Sequence, residues 1–193
     1  MTRRILVLDG HPDSHGEHFV HGLATVYRES AVAAGHAVRT IVIASLDFPL
    51  LRSPDEFQKG RPPASIADAQ ADIEWANHIA IFYPLWLGSM PALVKGFFEQ
   101  ALRPGFAFGP AKGRGLPQQK LKGRSARVVV TMGMPTFFYK WFYRAHSLKS
   151  FERNILHFCG IRPVRATVIG MVESKATRDR ALAAMRRFGA RAA

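Results

Sequence analysis

Residues 79–102 read IAIFYPLWLGSMPALVKGFFEQAL, and the way this stretch divides decides the fold. Ile79 to Tyr83 is a continuous apolar run, the signature of a strand buried on both faces. Pro91 to Leu102 is helical, with Pro91 in the first turn, where a missing N–H costs nothing. Between the two lies Pro84-Leu85-Trp86-Leu87-Gly88-Ser89, a loop stiffened by proline and glycine. It carries no charge, and its only side-chain hydrogen-bonding groups are the Trp86 indole N–H and the Ser89 hydroxyl.

Outward from this unit the same alternation repeats. Ile5 to Asp9 is a short apolar strand ending in the turn cluster Gly10-His11-Pro12. Phe19, Leu23, Val26, Tyr27, Ala31 and Ala34 recur at helical spacing until Gly35 stops the helix. Val38 to Ile43 is a β-branched strand. Leu46 to Pro63 holds four prolines and reads as an irregular surface excursion. Ala64 to Ala76 is helical. Ala126 to Met132 is a fourth strand, and Val164 to Ile169 a fifth. Leu148, Phe151, Ile155 and Phe158 mark a helix stopped at Gly160, and Leu182, Met185 and Phe188 mark the last one. Apolar strands alternating with helices imply a parallel sheet covered on both faces. Five such units suggest the strand order 2-1-3-4-5, a flavodoxin-like three-layer sandwich formed by residues 1–193 as a single domain. Ligands of such sheets lie beyond the carboxyl ends of the strands, near the switch between strands one and three.

The bulk numbers are those of a globular chain: 193 residues, 48% hydrophobic and 21% charged. No stretch approaches the roughly 18 apolar residues of a membrane span, so no membrane insertion is expected. The apolar run near the N-terminus is too short for a signal peptide. One cysteine, Cys159, excludes an internal disulfide framework and suits a reducing, cytoplasmic setting. The net charge of +13 is unusual. Six cations and no acid lie between Lys112 and Arg127, a strip that offers itself to phosphorylated partners. It lacks interleaved aromatics for base stacking, so nucleic acid is not expected as a partner.

Three loops converge on the expected crevice. The first, Gly10 to His18, opens a helix and presents free N–H groups and a positive dipole end, a site for a phosphate. Ser14, His11 and His18 can add hydrogen bonds. It matches neither G-x-G-x-x-G nor the Walker motif. Its histidines follow no metal-site spacing, so no metal is expected. The second, Pro84 to Pro91, fails G-x-S-x-G around Ser89, which reads instead as a helix N-cap. Its fixed backbone suits a planar ring system, with Trp86 and Leu87 as apolar wall or as core. The third, Thr131 to Tyr139, is small and apolar with Gly133 for close backbone approach. An aromatic run, Phe137 to Tyr143, follows it and reads either as pocket wall or as a core or contact patch.

Ile5–His11, Tyr83-Pro84-Leu85-Trp86, Met90–Glu99 (MPALVKGFFE), Phe106-Ala107-Phe108 and Ile155–Gly160 (ILHFCG) together resemble the flavodoxin-like NAD(P)H:quinone oxidoreductases. This is the DT-diaphorase-like family, which also includes FMN reductases and regulatory flavoprotein subunits of potassium efflux systems. The resemblance implies a flavin, FMN or FAD, whose ring edge meets the backbone of Pro84, Leu85, Trp86, Leu87 and Gly88 and of Thr131, Met132 and Gly133. It implies a flavin phosphate beside His11 and the start of the first helix, with Ser14, His18 and Phe19 as further contacts. Tyr139 and His146 correspond to a Tyr and a His that balance charge during hydride transfer. Phe106, Phe108 and Tyr139 would line the acceptor slot, the two phenylalanines from a partner subunit, since the family is typically dimeric. The implied activity is ping-pong hydride transfer from NAD(P)H through the flavin to a quinone-like acceptor. The alternative is a flavin-binding regulatory subunit of a membrane transport system. Glu17-His18-Phe19-Val20 and Met134-Pro135-Thr136 depart from the family pattern.

Overall fold

The computed structural model describes residues 2–111, 115 and 117–193. Five parallel strands form the central sheet: β1 (Arg4–Asp9), β2 (Ala37–Val42), β3 (His78–Pro84), β6 (Ser125–Thr131) and β7 (Val164–Ile169). Their order is β2-β1-β3-β6-β7, the expected switch in which β3 crosses to the far side of β1. An antiparallel pair, β4 (Phe108–Ala111) and β5 (Pro117–Gln119), stands apart from it.

Successive side chains of each strand point to opposite faces, and the core divides accordingly. Ile5, Val7, Ala80, Phe82 and Val129 face α1 (Phe19–Ala33) and α8 (Lys175–Arg191). Leu6, Leu8, Ile79, Ile81, Val128 and Val130 face α3 (Ala64–Trp75), α4 (Ala92–Ala101) and the helical run before β7. That run is continuous: α6 (His146–Ser150), a π-helical stretch (Phe151–Leu156) and α7 (His157–Cys159), ended by Gly160 at φ 100°. Burying both faces is what makes these strands read as unbroken apolar runs.

Three local expectations are corrected. The excursion from Leu46 to Pro63 contains α2 (Pro54–Lys59), whose N-cap Ser53 accepts the Glu56 amide at 3.1 Å while the Glu56 carboxylate accepts the Arg52 amide at 2.9 Å. Ser53-Pro54-Asp55-Glu56 is a capping-box sequence with proline at the first helical position, so the signal was there. Part of the aromatic run is a helix, α5 (Thr136–Trp141). The expected cationic strip also changes character. Arg127 is buried, donates to the Thr167 hydroxyl at 2.8 Å and to the Ala193 carbonyl, and stacks on Phe188. Arg124 donates to the Ile73 and Glu74 carbonyls, and Lys120 to that of Gly105. These cations hold the amino edge of the sheet together. Lys112 and Arg114 lie outside the described residues.

No helix among the described residues is long and apolar enough to cross a membrane.

Candidate functional site

Strands β1, β3 and β6 are neighbours, so the loops leaving their carboxyl ends meet. Two contacts fix how. The Gly10 amide donates to the Phe82 carbonyl at 2.7 Å. A Cβ on Gly10 would stand 2.7 Å from that same oxygen and 3.1 Å from Val94, so only glycine lets the first loop lie this close to β3. The Leu85 amide donates to the Thr131 carbonyl at 2.7 Å, joining the second loop to the third.

The first loop is organised by two carboxylates. Asp9, buried at the end of β1, accepts the His11 amide at 3.2 Å and stands 2.6 Å from Nδ1 of His21. Asp13 accepts the His15 amide at 2.8 Å and lies 2.9 Å from Nε2 of His18, a bond that holds its carboxyl below the ordinary range. Between them the rings of His11 and His18 stack, centroids 3.7 Å apart, with His21 edge-on at 5.2 Å from His11. Burial pushes the His11 imidazole below its ordinary value, and His18 and His21 add to the effect. Both effects favour the neutral ring. Trp86 of the second loop approaches His11 nearly perpendicular, centroids 6.1 Å apart. His18 is the N-cap of α1, with no side-chain hydrogen bond to the first turn. The Phe19, Val20 and His21 amides thus point outward beside the imidazoles, an anion site in the making.

The second loop is a tight turn. Trp86 and Ser89 exchange both backbone hydrogen bonds at 2.9 Å, and Leu87 and Gly88 between them have φ of 46° and 79°. Two central residues at positive φ define the type I′ class. Leu87 adopts this conformation without glycine's freedom and is fully exposed. Ser89 belongs to this turn. The N-cap of α4 is Pro91, which corrects the expectation for Ser89. Trp86 is half-exposed, so of the two readings the wall suits it better than the core.

The third loop is held at its far side, where Met132 donates to Ile169 at 2.9 Å and the Gly170 amide donates to the Thr136 hydroxyl at 2.9 Å. Gly133 faces open space, with no protein atom within 4 Å of a Cβ placed there.

The Trp86 amide is spent in the turn, and those of Leu85 and Met132 in joining loops. The Leu87, Gly88 and Gly133 amides have no acceptor among the described residues. These three donors, an apolar indole beside them and a phosphate-sized anion site next door fit a flavin mononucleotide: ring on one side, phosphate on the other.

Not every expected residue arrives here. Ser14 is exposed and pairs with its neighbour His15 at 3.2 Å. Phe19 packs on the α1–α8 core with Arg178 above its ring, leaving its backbone amide as its offer to a ligand. Phe106 and Phe108 follow α4, which runs ten residues, about 15 Å, away from the carboxyl edge. Phe108 instead packs edge-on to Phe158, at 5.0 Å, beside an apolar cavity of about 330 Å³ lined by Phe98, Leu102 and Cys159. Within one chain they are therefore no part of the crevice. Tyr139 is buried, and its hydroxyl lies 2.9 Å from that of Ser147 and accepts the Leu148 amide at 3.4 Å. It caps α6 from outside. His146, the first residue of α6, is exposed. Sequence reasoning passed over Asp9 and His21, although a carboxylate ending an apolar strand and a histidine one turn into the next helix were visible signals.

A family model described as a flavodoxin-like fold matches residues 3–191. A Haemophilus influenzae protein described as an uncharacterized NAD(P)H oxidoreductase is 27% identical over 180 residues, covering 89% of this chain and 87% of its own. Among solved structures, an NAD(P)H:quinone oxidoreductase from Methanothermobacter marburgensis superposes with a TM-score of 0.82 at 22% identity over the whole of both chains. An FMN-dependent NADH-azoreductase from Bacillus anthracis, solved with FMN, gives 0.76 at 14% identity, again over both whole chains. With the strand order, the crevice and the near-complete match in agreement, the chain belongs to the flavodoxin-like-fold family.

Proposed function

We propose that this protein is an FMN-dependent NAD(P)H oxidoreductase that reduces a quinone or a similar flat acceptor. The observation that carries the reading is the trio of unspent amides on Leu87, Gly88 and Gly133, in the two loops joined by the Leu85–Thr131 hydrogen bond, with the Trp86 ring reaching the His11 imidazole beside α1. The relatives named for NAD(P)H oxidation and for FMN support it. When bound, FMN supplies the capacity to take a hydride from the nicotinamide and deliver it to the acceptor. The chain's own work is orientation. The three amides donate to ring heteroatoms, and Trp86 gives an apolar flank that keeps water off one side. The amides of the first turn of α1, with His11 and His18, hold the phosphate. Asp9 fixes His21 and the His11 amide, and so sets the shape of that pocket.

Tyr139 acts as a positioning residue in this reading: its hydroxyl holds the start of α6, where exposed His146 serves as the proton-handling group. Donor and acceptor share one slot in turn, a ping-pong scheme. Phe106 and Phe108 would complete the slot only from a second copy of the chain, so the active form is a homodimer.

The test is direct. Purified protein should be yellow, release FMN by mass, and show parallel double-reciprocal lines when NAD(P)H and quinone are varied. A colourless protein that takes up no added flavin would end this reading, and FAD as the released chromophore would correct the cofactor.

A further inference from the structure

Apart from the buried Tyr139, the aromatic run after β6 is not absorbed by the core. Trp141 is 80% exposed, Phe137 71% and Phe142 60%, with Phe138 and Tyr143 also exposed. The rings are organised with one another. Phe138 and Phe142 stack at 4.9 Å and 5°, and Tyr143 stands edge-on to both at 5.6 and 5.1 Å. Arg144 and Ala145, both at φ 50°, turn the chain sharply there, and the Tyr139 carbonyl accepts the Ala145 amide at 3.1 Å to hold the turn. The result is a preformed aromatic corner in water, a costly arrangement for a surface with no partner.

Charge says what covers it. Lys140 and Arg144 lie in and directly after the corner, and Lys149 and Arg153 follow on the helical run; all four are exposed and none is within ion-pair distance of an acid among the described residues. From Val128 to Phe151 the chain has three cations, Lys140, Arg144 and Lys149, and not one Asp or Glu. In sequence, Glu152 ends this acid-free stretch. Beyond Met171 lie Glu173 and Asp179, the latter paired with Lys175 at 2.9 Å. A two-fold contact between copies sets the same patch on both sides and so brings this cationic rim against itself. Single-stranded nucleic acid needs free ring faces along a groove, whereas here two of the rings cover each other. An anionic bilayer surface fits both halves of the pattern. Trp, Tyr and Phe settle at the headgroup level while Lys and Arg reach the lipid phosphates.

We propose that the Phe137–Tyr143 corner is a docking surface for an anionic membrane. The protein lies on the bilayer by this corner and inserts only side chains. It thereby brings the third loop of the crevice close to the layer in which lipophilic acceptors dissolve. The docking itself does not depend on the redox reading.

Vesicle sedimentation tests it, using phosphatidylcholine with roughly 30% phosphatidylglycerol against phosphatidylcholine alone. The wild-type chain should sediment with the anionic vesicles and shift its tryptophan emission to the blue. Trp141→Ala with Phe142→Ala should lower the partition coefficient about tenfold or more. Lys140→Gln with Arg144→Gln and Lys149→Gln should remove the preference for anionic lipid. These positions are exposed, and a circular-dichroism melt checks that each variant is folded, with Trp141→Gln alone as a milder substitute. The proposal is overturned if the wild type stays in the supernatant, or if the aromatic variant sediments equally well. It is also overturned if that variant turns a dimer into a monomer with vesicle binding unchanged, or loses oligonucleotide binding instead. Flavin content, measured in the same samples, reports separately on the proposed function.

Discussion

His78 opens β3 with its side chain sealed in the protein. Its Nδ1 is 2.8 Å from the Ser125 hydroxyl, and its Nε2 has no partner among the described residues. Burial, then the charges of Arg3, Arg127 and Arg165, push its pKa down to about 3. The folded value lies below the ordinary one near 6.5, so between the two the unfolded chain binds the extra proton. Stability from this residue is therefore full above pH 6.5 and falls as the pH drops toward 3, by up to about 1.4 kcal/mol per pH unit. His11, also depressed by burial, adds in the same direction. Chemical denaturation between pH 8 and 4 should show this slope, and His78→Phe should make it shallower by about one proton. Identical slopes for the two proteins would place the acid sensitivity elsewhere. Leu87 carries a different lesson at this scale. From sequence its side chain was open between wall and core. The turn instead presents its amide, at a positive φ that only the cross-bonded Trp86–Ser89 pair explains.

At the scale of elements, strands and long helices were legible because their periodicity comes from burial on two faces, which leaves a direct trace in the residues. What escaped were pieces stabilised by a few polar contacts. The β4–β5 pair is rich in glycine and proline and exposes much of itself, so it has no periodic signal. Helices α2 and α5 span six residues each, too short for a hydrophobic stripe. Tyr139 shows how a residue can be singled out by type while its contacts stay hidden: its spacing from Thr131 said nothing of a hydroxyl turned toward the start of α6. We expect Tyr139→Phe to cost about 1 kcal/mol, the worth of a lost helix cap, because the Leu148 amide and Ser147 hydroxyl lose their partner. Faster hydrogen exchange at Leu148, with β6 unaffected, would localise the loss to the start of α6. Unchanged exchange there would show that the hydroxyl caps nothing.

Across the molecule, the strand order followed from counting β-α units, and with it the meeting of three loops. The placement of charge did not follow, because a residue list cannot tell an arginine that closes a sheet edge from one that faces solvent. Arg124 and Arg127 spend their donors inside the protein, yet their charge still belongs to a chain of net +13. Together with the other cations, the described residues of the expected phosphate strip contribute a long-range field. Such a field speeds the arrival of anions and is screened as the Debye length shrinks from about 14 Å at 50 mM salt to about 7 Å at 200 mM. NADPH carries a 2′-phosphate that NADH lacks, so under the proposed function its kcat/KM should fall more steeply with salt. We expect a drop of roughly threefold or more for NADPH over that range, a smaller one for NADH, and little change in kcat for either. A local 2′-phosphate pocket predicts something else: a preference for NADPH that persists at high salt and disappears on neutralising one or two cations. Initial rates with both nucleotides at three salt concentrations separate the two cases, and parallel salt dependence for NADH and NADPH would remove the field from the account.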